Sequence, residues 1–198
     1  MKLSRTQTII IALTGASISA FLLDQILRAK RAQPWVERCE RVFGALKEEQ
    51  KQTIQRIVSA FKKYGDGDPY KLAYILSTVD TECSFESKEE YYGSSNAHKT
   101  YWATGYHGRG LVQLTWKRNY QKMSDLLGVD FVNHPDKVML PQYAARILVQ
   151  GMMEGRFTRR KLSEFINPEV ADFYNARKVV NGLDKAAKIA LDAKALLN

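Results

Sequence analysis

The chain has 198 residues and a formal net charge of +9, from 30 basic and 21 acidic side chains. About 160 residues follow an apolar N-terminal segment, enough for one compact domain with a buried core, so no second domain is required. The charge suits an anionic partner, such as a cell-wall polymer or a membrane surface. The basic side chains are scattered rather than gathered in one arm, which argues against a dedicated nucleic-acid-binding protein.

The first predicted element is an uncharged, largely apolar run from Thr6 to Leu23, preceded by Lys2 and Arg5. Its length borders on the roughly 20 residues of a membrane span, although small and hydroxylated residues interrupt it. We expect residues 1–33 to form a membrane anchor, an N-terminal hydrophobic helix followed by a basic linker. A cleavable signal peptide and a buried N-terminal helix remain alternatives.

Helical periodicity dominates the second predicted unit, residues 34–198, which we expect to be mainly α. Apolar residues recur there at spacings of three and four. The members of this pattern are Val42, Phe43, Leu46, Ile54, Ile57, Val58, Phe61, Leu72, Ile75, Leu76 and Val79. Between them, the cluster Tyr64–Pro69 predicts a turn joining two helices. Its aspartates lack the remaining ligand positions of a calcium loop, so no metal is implied.

The segment Gly108–Tyr120, GRGLVQLTWKRNY, is the most informative stretch. A Gly-Arg-Gly turn suggests close backbone approach or positive φ, and it leads into polar side chains spaced along an aromatic, apolar segment. Such a surface can bind a sugar, with Trp116 and Tyr120 as flat apolar faces. The alternative is a loop entering an amphipathic helix whose aromatic residues lie in the core.

This segment resembles the Tyr-x-Gly-Arg-Gly-x-x-Gln-Leu-Thr signature of glycoside hydrolase family 19, the chitinase-like enzymes that include bacteriophage endolysins. Three further blocks resemble parts of that family in the same order: Tyr70–Phe85, Leu148–Leu162 and Phe173–Ala186. The resemblance covers residues 40–198. It implies a mainly α, lysozyme-like domain of two lobes.

Inverting hydrolysis of a glycosidic bond requires an acid that protonates the leaving oxygen and a carboxylate that activates water. The resemblance aligns Glu82 with the family's catalytic acid, at the end of an apolar helix. It favours Glu90 as the catalytic base, with Glu89 as a competitor. Thr81 stands where the family commonly has a histidine. His107 stands where a second tyrosine often precedes the glycine, and we expect it to fill that place rather than transfer a proton.

The resemblance also implies a set of substrate-binding residues. These are Tyr106, Gln113, Thr115, Asn119 and Asn181. Asn181 precedes a glycine at the end of an apolar helix, so a helix C-cap is its alternative role. Arg109, Arg177 and Glu154 are candidates for a charge network behind the site.

Cys39 and Cys83 are the only thiols, and they form either a disulfide in an exported protein or two buried free cysteines. The three histidines lack metal-ligand spacing, so we predict no metal and no cofactor. A serine-histidine-acid arrangement is not legible either. Amidase or peptidase chemistry therefore has little support.

The combined prediction is a peptidoglycan-degrading glycoside hydrolase of the endolysin type, which cleaves β-1,4 bonds between N-acetylhexosamines. Alternatives are a chitinase acting on chitin oligomers and an inactive wall-binding or virion structural protein. We expect a monomer held at the bacterial inner membrane by its N-terminal segment, with the catalytic domain in the periplasm or outside the cytoplasm, or associated with a virion. The sequence leaves open whether that segment is cleaved, released or retained.

Overall fold

The structure is a computed structural model that describes Leu23, residues 32–91 and residues 100–198. Helices dominate these residues, as predicted. They comprise helical residues 32–43 (α1), Glu48–Tyr64 (α2), Pro69–Cys83 (α3), Lys117–Leu127 (α4), Pro141–Glu154 (α5) and Ala186–Leu197 (α6). Two short antiparallel ribbons accompany them: Lys88–Glu89 (β1) with Arg109–Gly110 (β2), and Ile166–Asn167 (β3) with Val170–Ala171 (β4).

The predicted turn between α2 and α3 is confirmed. The Asp68 side chain accepts a hydrogen bond from the backbone N–H of Tyr70 at 2.9 Å, and Pro69 occupies the first helical position. Lys71, almost fully buried, pairs with Asp66 and lies 3.6 Å from Asp68. The aspartates of this turn thus cap a helix and neutralise a buried cation.

The main core surrounds α3, which is buried at every position from Lys71 to Val79. Helix α6 packs on α3, and α2 packs on α5. The predicted apolar pattern is confirmed, because Ile54, Ile57 and Phe61 are buried on α2 and the four predicted positions of α3 are buried as well. Because α3 is enclosed by the core, it is a rigid helix that fixes the positions of the residues at its two ends.

A second buried cluster lies between α4 and α5 and includes Tyr120, Met123, Phe131 and Ile147. The Tyr120 ring is fully buried. The suggestion that Tyr120 offers a flat face to a sugar is therefore wrong, because its ring fills this second core.

The predicted N-terminal hydrophobic helix lies outside the described residues, apart from Leu23. Within residues 32–91 and 100–198, no helix combines the length and apolar character needed to cross a membrane.

Candidate active site

Glu82 lies in the last turn of α3, with its side chain 19% exposed. Arg177 Nη2 lies 2.5 Å from Glu82 Oε1 in an ion pair that is not aligned as a hydrogen bond. Arg177 belongs to the 3₁₀ helix Asn175–Val179, is only 1% exposed, and donates from Nε to the Asp184 carbonyl oxygen at 3.0 Å. The arginine predicted to stand behind the site therefore contacts the predicted acid directly.

The chain reverses sharply after Glu82. Ser84 and Phe85 both adopt left-handed backbone conformations, with φ of 50° and 59°. Such angles are unfavourable for residues other than glycine, so the surrounding structure must hold them. It does so by burying the Phe85 ring and by a 2.8 Å hydrogen bond from Gln50 Nε2 to the Ser84 carbonyl oxygen. This turn connects the two predicted catalytic carboxylates.

Glu90 follows β1 and is held through its backbone and its carboxylate. Its N–H donates to the Gly108 carbonyl oxygen at 2.7 Å, and the Gly108 N–H donates to Glu90 Oε2 at 3.1 Å. The Tyr101 hydroxyl lies 3.1 Å from each carboxylate oxygen. The carboxylate is thus oriented before any substrate arrives.

Glu89, the competing residue, faces a different set of partners. Its carboxylate contacts His107 Nε2 and lies 2.8 Å from Arg109 Nη2. The hydrogen bond with His107, reinforced by the charge of Arg109, lowers the pKa of Glu89 below its usual range. A carboxylate with a depressed pKa is a weaker base, and the pairing with His107 and Arg109 occupies the Glu89 carboxylate, which argues against Glu89 as the residue that activates water.

His107 is nearly buried, and its ring stacks on Trp102 with centroids 3.9 Å apart and planes 12° apart. The histidine occupies a packed position between an aromatic ring and a carboxylate. This placement fits the expectation that it fills the place of an aromatic residue.

Arg109 pairs with carboxylates, as predicted. Besides Glu89, it lies 3.2 Å from Asp136 Oδ1, and its Nη1 donates to the Gly105 carbonyl oxygen at 2.9 Å and to the Tyr120 hydroxyl at 3.2 Å. One buried guanidinium thus connects β1, the loop before β2, α4 and the segment before α5.

Gln113 lies beside Glu90. Its Nε2 donates to the carbonyl oxygens of Lys88 and Gly110, at 3.1 and 3.0 Å, and its backbone has a φ of 50°. Its Oε1 points toward Gly108, because a Cβ placed on that glycine would lie 2.9 Å from Gln113 Oε1 and 3.1 Å from Glu90 Oε2. Because Gly108 has no side chain, Glu90, the predicted base, and Gln113, a predicted substrate-binding residue, can approach each other.

Trp116 offers the exposed aromatic face expected from the sequence. It is 41% exposed, has a φ of 70°, and packs edge-on against Tyr101 with centroids 5.4 Å apart. The sequence did not point to Tyr101, because it lies outside the motif and is eleven residues away from Glu90 along the chain. The pair extends an aromatic surface from solvent to the Glu90 carboxylate.

Tyr106, Thr115 and Asn119 are tied to their immediate surroundings. The Tyr106 hydroxyl donates to the Val132 carbonyl oxygen at 3.0 Å, and its half-buried ring packs against the second core. Asn119 Nδ2 donates to the Thr115 carbonyl oxygen at 2.8 Å, at the start of α4. These bonds occupy the Tyr106 hydroxyl and the Asn119 side-chain nitrogen, but they involve only the backbone carbonyl of Thr115.

Asn181 is exposed and closely linked to the partner of Glu82. Its N–H donates to the Arg177 carbonyl oxygen at 3.0 Å, and its Oδ1 accepts from the Gly182 N–H at 2.8 Å. The apolar helix predicted before it is a short 3₁₀ helix that ends at Val179. Asn181 therefore does not cap an α-helix, and its place in the loop connects it to Arg177.

Residues 51–145 match the family described as class I chitinase, glycoside hydrolase family 19. The matched range contains Glu82, Glu90 and the whole Gly108–Tyr120 segment. This part of the chain is therefore similar to the family 19 chitinases.

Solved structures agree at the level of the fold. Chitinase C from Streptomyces griseus HUT6037 superposes with a TM-score of 0.56 at 17% identity, covering 82% of this chain and 76% of that one. Another bacterial family 19 chitinase gives a TM-score of 0.51 at 16% identity, covering 81% and 93%. The predicted mainly α, lysozyme-like fold is thus confirmed as the family 19 fold.

A curated protein, chitinase 11 of Oryza sativa subsp. japonica, is 61% identical over 33 residues. This stretch is 17% of the present chain and spans only 13% of the length of the rice protein. The similarity is therefore strong but local.

Two predicted features of the domain need correction. Glu154 pairs with Arg156 at 2.6 Å and accepts from Gln150 at 2.8 Å, so its partners lie at the end of α5 and do not include Arg177. The disulfide alternative is wrong, because Cys39 and Cys83 are both buried and free. Burial raises the pKa of each thiol to about 12.

Acidic, histidine and cysteine side chains do not gather into a metal site in residues 32–91 or 100–198. The titratable groups that the site brings together are carboxylates and guanidinium groups, with one histidine. Carboxylates and imidazole can transfer protons, whereas guanidinium groups supply a fixed positive charge.

Proposed function

We propose that this protein hydrolyses β-1,4 bonds between N-acetylhexosamines by an inverting acid–base mechanism. The observation that carries the proposal is the pair of carboxylates on either side of the Ser84–Phe85 turn. Glu82 faces a buried arginine, while Glu90 is oriented by a tyrosine hydroxyl and a backbone N–H. Two carboxylates in unlike environments suit two different proton-transfer roles.

In the proposed reaction, Glu82 donates its proton to the glycosidic oxygen as the bond from that oxygen to the anomeric carbon breaks. Glu90 accepts a proton from a water molecule, whose oxygen forms the new bond to the anomeric carbon from the opposite face. In this proposal, Gln113 Oε1 accepts a hydrogen bond from this water or from the acetamido N–H. Trp116 supplies a flat surface against which a sugar ring can pack.

The substrate we propose is peptidoglycan, with the protein acting as an endolysin. The net charge of +9 favours the anionic bacterial wall over neutral chitin. The apolar run before the domain supports attachment to the inner membrane, with the catalytic domain on the side that faces the wall. Chitin remains the alternative, because the structurally similar proteins are chitinases and both polymers contain N-acetylglucosamine.

The test compares full-length wild type with Glu82→Gln on purified peptidoglycan and on chitin oligomers. New reducing ends are identified by mass, and the anomeric configuration of the first product is read by proton NMR. Loss of a catalytic acid typically costs about 10²- to 10⁴-fold in rate, so the variant should be almost inactive but still bind the wall.

Glu86→Gln is the matched control. Glu86 is an exposed glutamate on the same connection, and among the described residues its carboxylate makes long ion pairs of 3.8 Å with Lys47 and Lys88. It should keep wild-type activity. Full activity in Glu82→Gln would refute the catalytic assignment, and wild-type binding without cleavage of either polymer would replace it with a wall-binding role. Cleavage of chitin oligomers alone would identify a chitinase.

A further inference from the structure

A surface hollow of about 460 Å³ lies between the start of α3 and the β3–β4 ribbon. Tyr70 and Pro69 line it from the helix, while Val170 and Ala171 line it from the ribbon. It is separate from the catalytic carboxylates, because Tyr70 and Glu82 are twelve residues apart on the same helix. At 1.5 Å per residue, that places them about 18 Å apart along the axis.

The Tyr70 ring is 47% exposed, yet it is held firmly on one side. It stacks on Phe173 with centroids 6.2 Å apart and planes 12° apart, and Phe173 stacks in turn on the buried Tyr74 at 6.1 Å and 3°. Three nearly parallel rings thus extend from the core to the hollow. The outermost ring presents a rigid, flat, apolar surface, which is the kind of group that packs against the C–H face of a sugar.

Acidic groups stand on two walls of the hollow. Asp68 lies at the helix end, where the Tyr70 N–H and Lys71 already engage its carboxylate, and Glu169 lies in the turn of the ribbon. The exposed Glu169 carboxylate can accept hydrogen bonds from hydroxyl and amide N–H donors, whereas it repels an anionic ligand. Flat apolar packing combined with acceptors of this kind suits an uncharged, hydroxyl-rich ligand.

We propose that this hollow is a second saccharide-binding site, which holds an N-acetylhexosamine segment of the polymer outside the catalytic cleft. The inference rests on the proposed function for the identity of the sugar. Such a site raises the local concentration of an insoluble polymer at the enzyme, and it contributes little to the cleavage of a short soluble oligomer.

The first experiment measures binding of a soluble N-acetylglucosamine tetramer to full-length Glu82→Gln by calorimetry and by NMR of the aromatic side chains. The Glu82→Gln parent should show two sites. Adding Tyr70→Ala should remove one of them, and adding Tyr70→Phe, which keeps the ring, should retain both. A parent with a single site that Tyr70→Ala leaves unchanged would overturn the inference.

The second experiment measures hydrolysis in an otherwise wild-type chain. Tyr70→Ala should lower the rate on insoluble polymer by about 3- to 10-fold and leave kcat/KM on the tetramer unchanged. Val170→Gln, which puts a longer side chain in the hollow and leaves the residues of the ring stack unchanged, should give the same pattern even if Tyr70→Ala is less stable. Leu191→Ala removes an exposed apolar side chain on α6 and should change neither rate. Equal rates on insoluble polymer for all variants would contradict the site.

Failure of this inference can be separated from failure of the proposed function. A protein that loses tetramer binding with Tyr70→Ala but cleaves neither polymer would overturn the hydrolase and support the hollow as a saccharide site. A protein that cleaves both polymers regardless of Tyr70 would support the hydrolase and overturn the second site.

Discussion

Gly108→Ala is expected to impair the site without unfolding the protein. The added Cβ would lie 2.9 Å from Gln113 Oε1, 3.1 Å from Glu90 Oε2 and 3.2 Å from Glu90 Cβ. All three distances are shorter than ordinary van der Waals contact. Relieving them requires Gln113 to move by about half an ångström and Glu90 by somewhat less.

The magnitude follows from how steeply catalysis depends on position. A misplacement of about 1 Å can cost about a hundredfold in rate, so a shift of half that size should lower kcat/KM by about tenfold. The backbone itself is not strained by alanine, because the φ of Gly108 is not in the left-handed region. The expected change in unfolding temperature is therefore small.

The assay is kcat/KM on soluble oligomers, measured beside thermal unfolding. Gly182→Ala is the matched control, because a Cβ at that position meets nothing within 4 Å although the residue adjoins Asn181. Wild-type kcat/KM in Gly108→Ala would refute the inference that this glycine sets the position of Glu90. A fall in Gly182→Ala of equal size would show that the effect is not steric.

Three further predictions concern stability and reactivity. Gly151→Ala, despite improving helix propensity, should lower the free energy of unfolding by about 1–3 kcal/mol in urea titration, because its Cβ would lie 2.0 Å from Phe157 Cζ. Cys39 and Cys83, buried thiols with pKa raised to about 12, should react with alkylating reagents only after unfolding. Because folding lowers the pKa of Glu89, its contribution to stability is present above the usual pKa of about 4.3 and is lost as pH falls through the lowered value. Glu89→Gln should therefore be less stable than wild type at pH 7, and the gap should close on acidification.

A different result would contradict each of these three predictions. Unchanged or greater stability of Gly151→Ala would mean that the Phe157 ring can move aside. Rapid alkylation of the native protein would mean that at least one thiol is accessible, and a rise in free thiols on reduction in denaturant would restore the disulfide. A stability gap for Glu89→Gln that is constant from pH 7 to pH 3 would show that its ionisation plays no part.

Local patterns predicted the elements of this fold well. The periodic apolar residues of α2 and α3 and the turn between them follow from spacing and turn chemistry that act over a few residues. The resemblance of four ordered blocks added the family, and with it Glu82 and Glu90 as candidates. Neither carboxylate could be assigned from spacing alone.

Long-range contacts were beyond the reach of such patterns. Tyr101 contacts Glu90 from eleven residues downstream, and Arg177 contacts Glu82 from almost one hundred residues downstream. A tyrosine has an apolar ring and a polar hydroxyl, so the sequence allows Tyr120 to lie either at the surface or in the core. The packing of α4 on its neighbours buries the ring. These details depend on which helices pack against each other, and local patterns in a single sequence do not reveal that packing.

The packing of α6 on α3 has a consequence for how the domain acquires its structure during synthesis. Lys188 on α6 contacts Asp80 on α3 at 3.2 Å across 108 residues of sequence, and Arg38 donates to the Leu196 carbonyl oxygen across 158 residues. The central helix thus lacks one of its covering partners until α6 has emerged from the ribosome. Contacts this distant in sequence slow folding, and an incomplete core leaves apolar surface exposed meanwhile. The nascent chain should therefore become resistant to protease only after α6 has emerged from the ribosome.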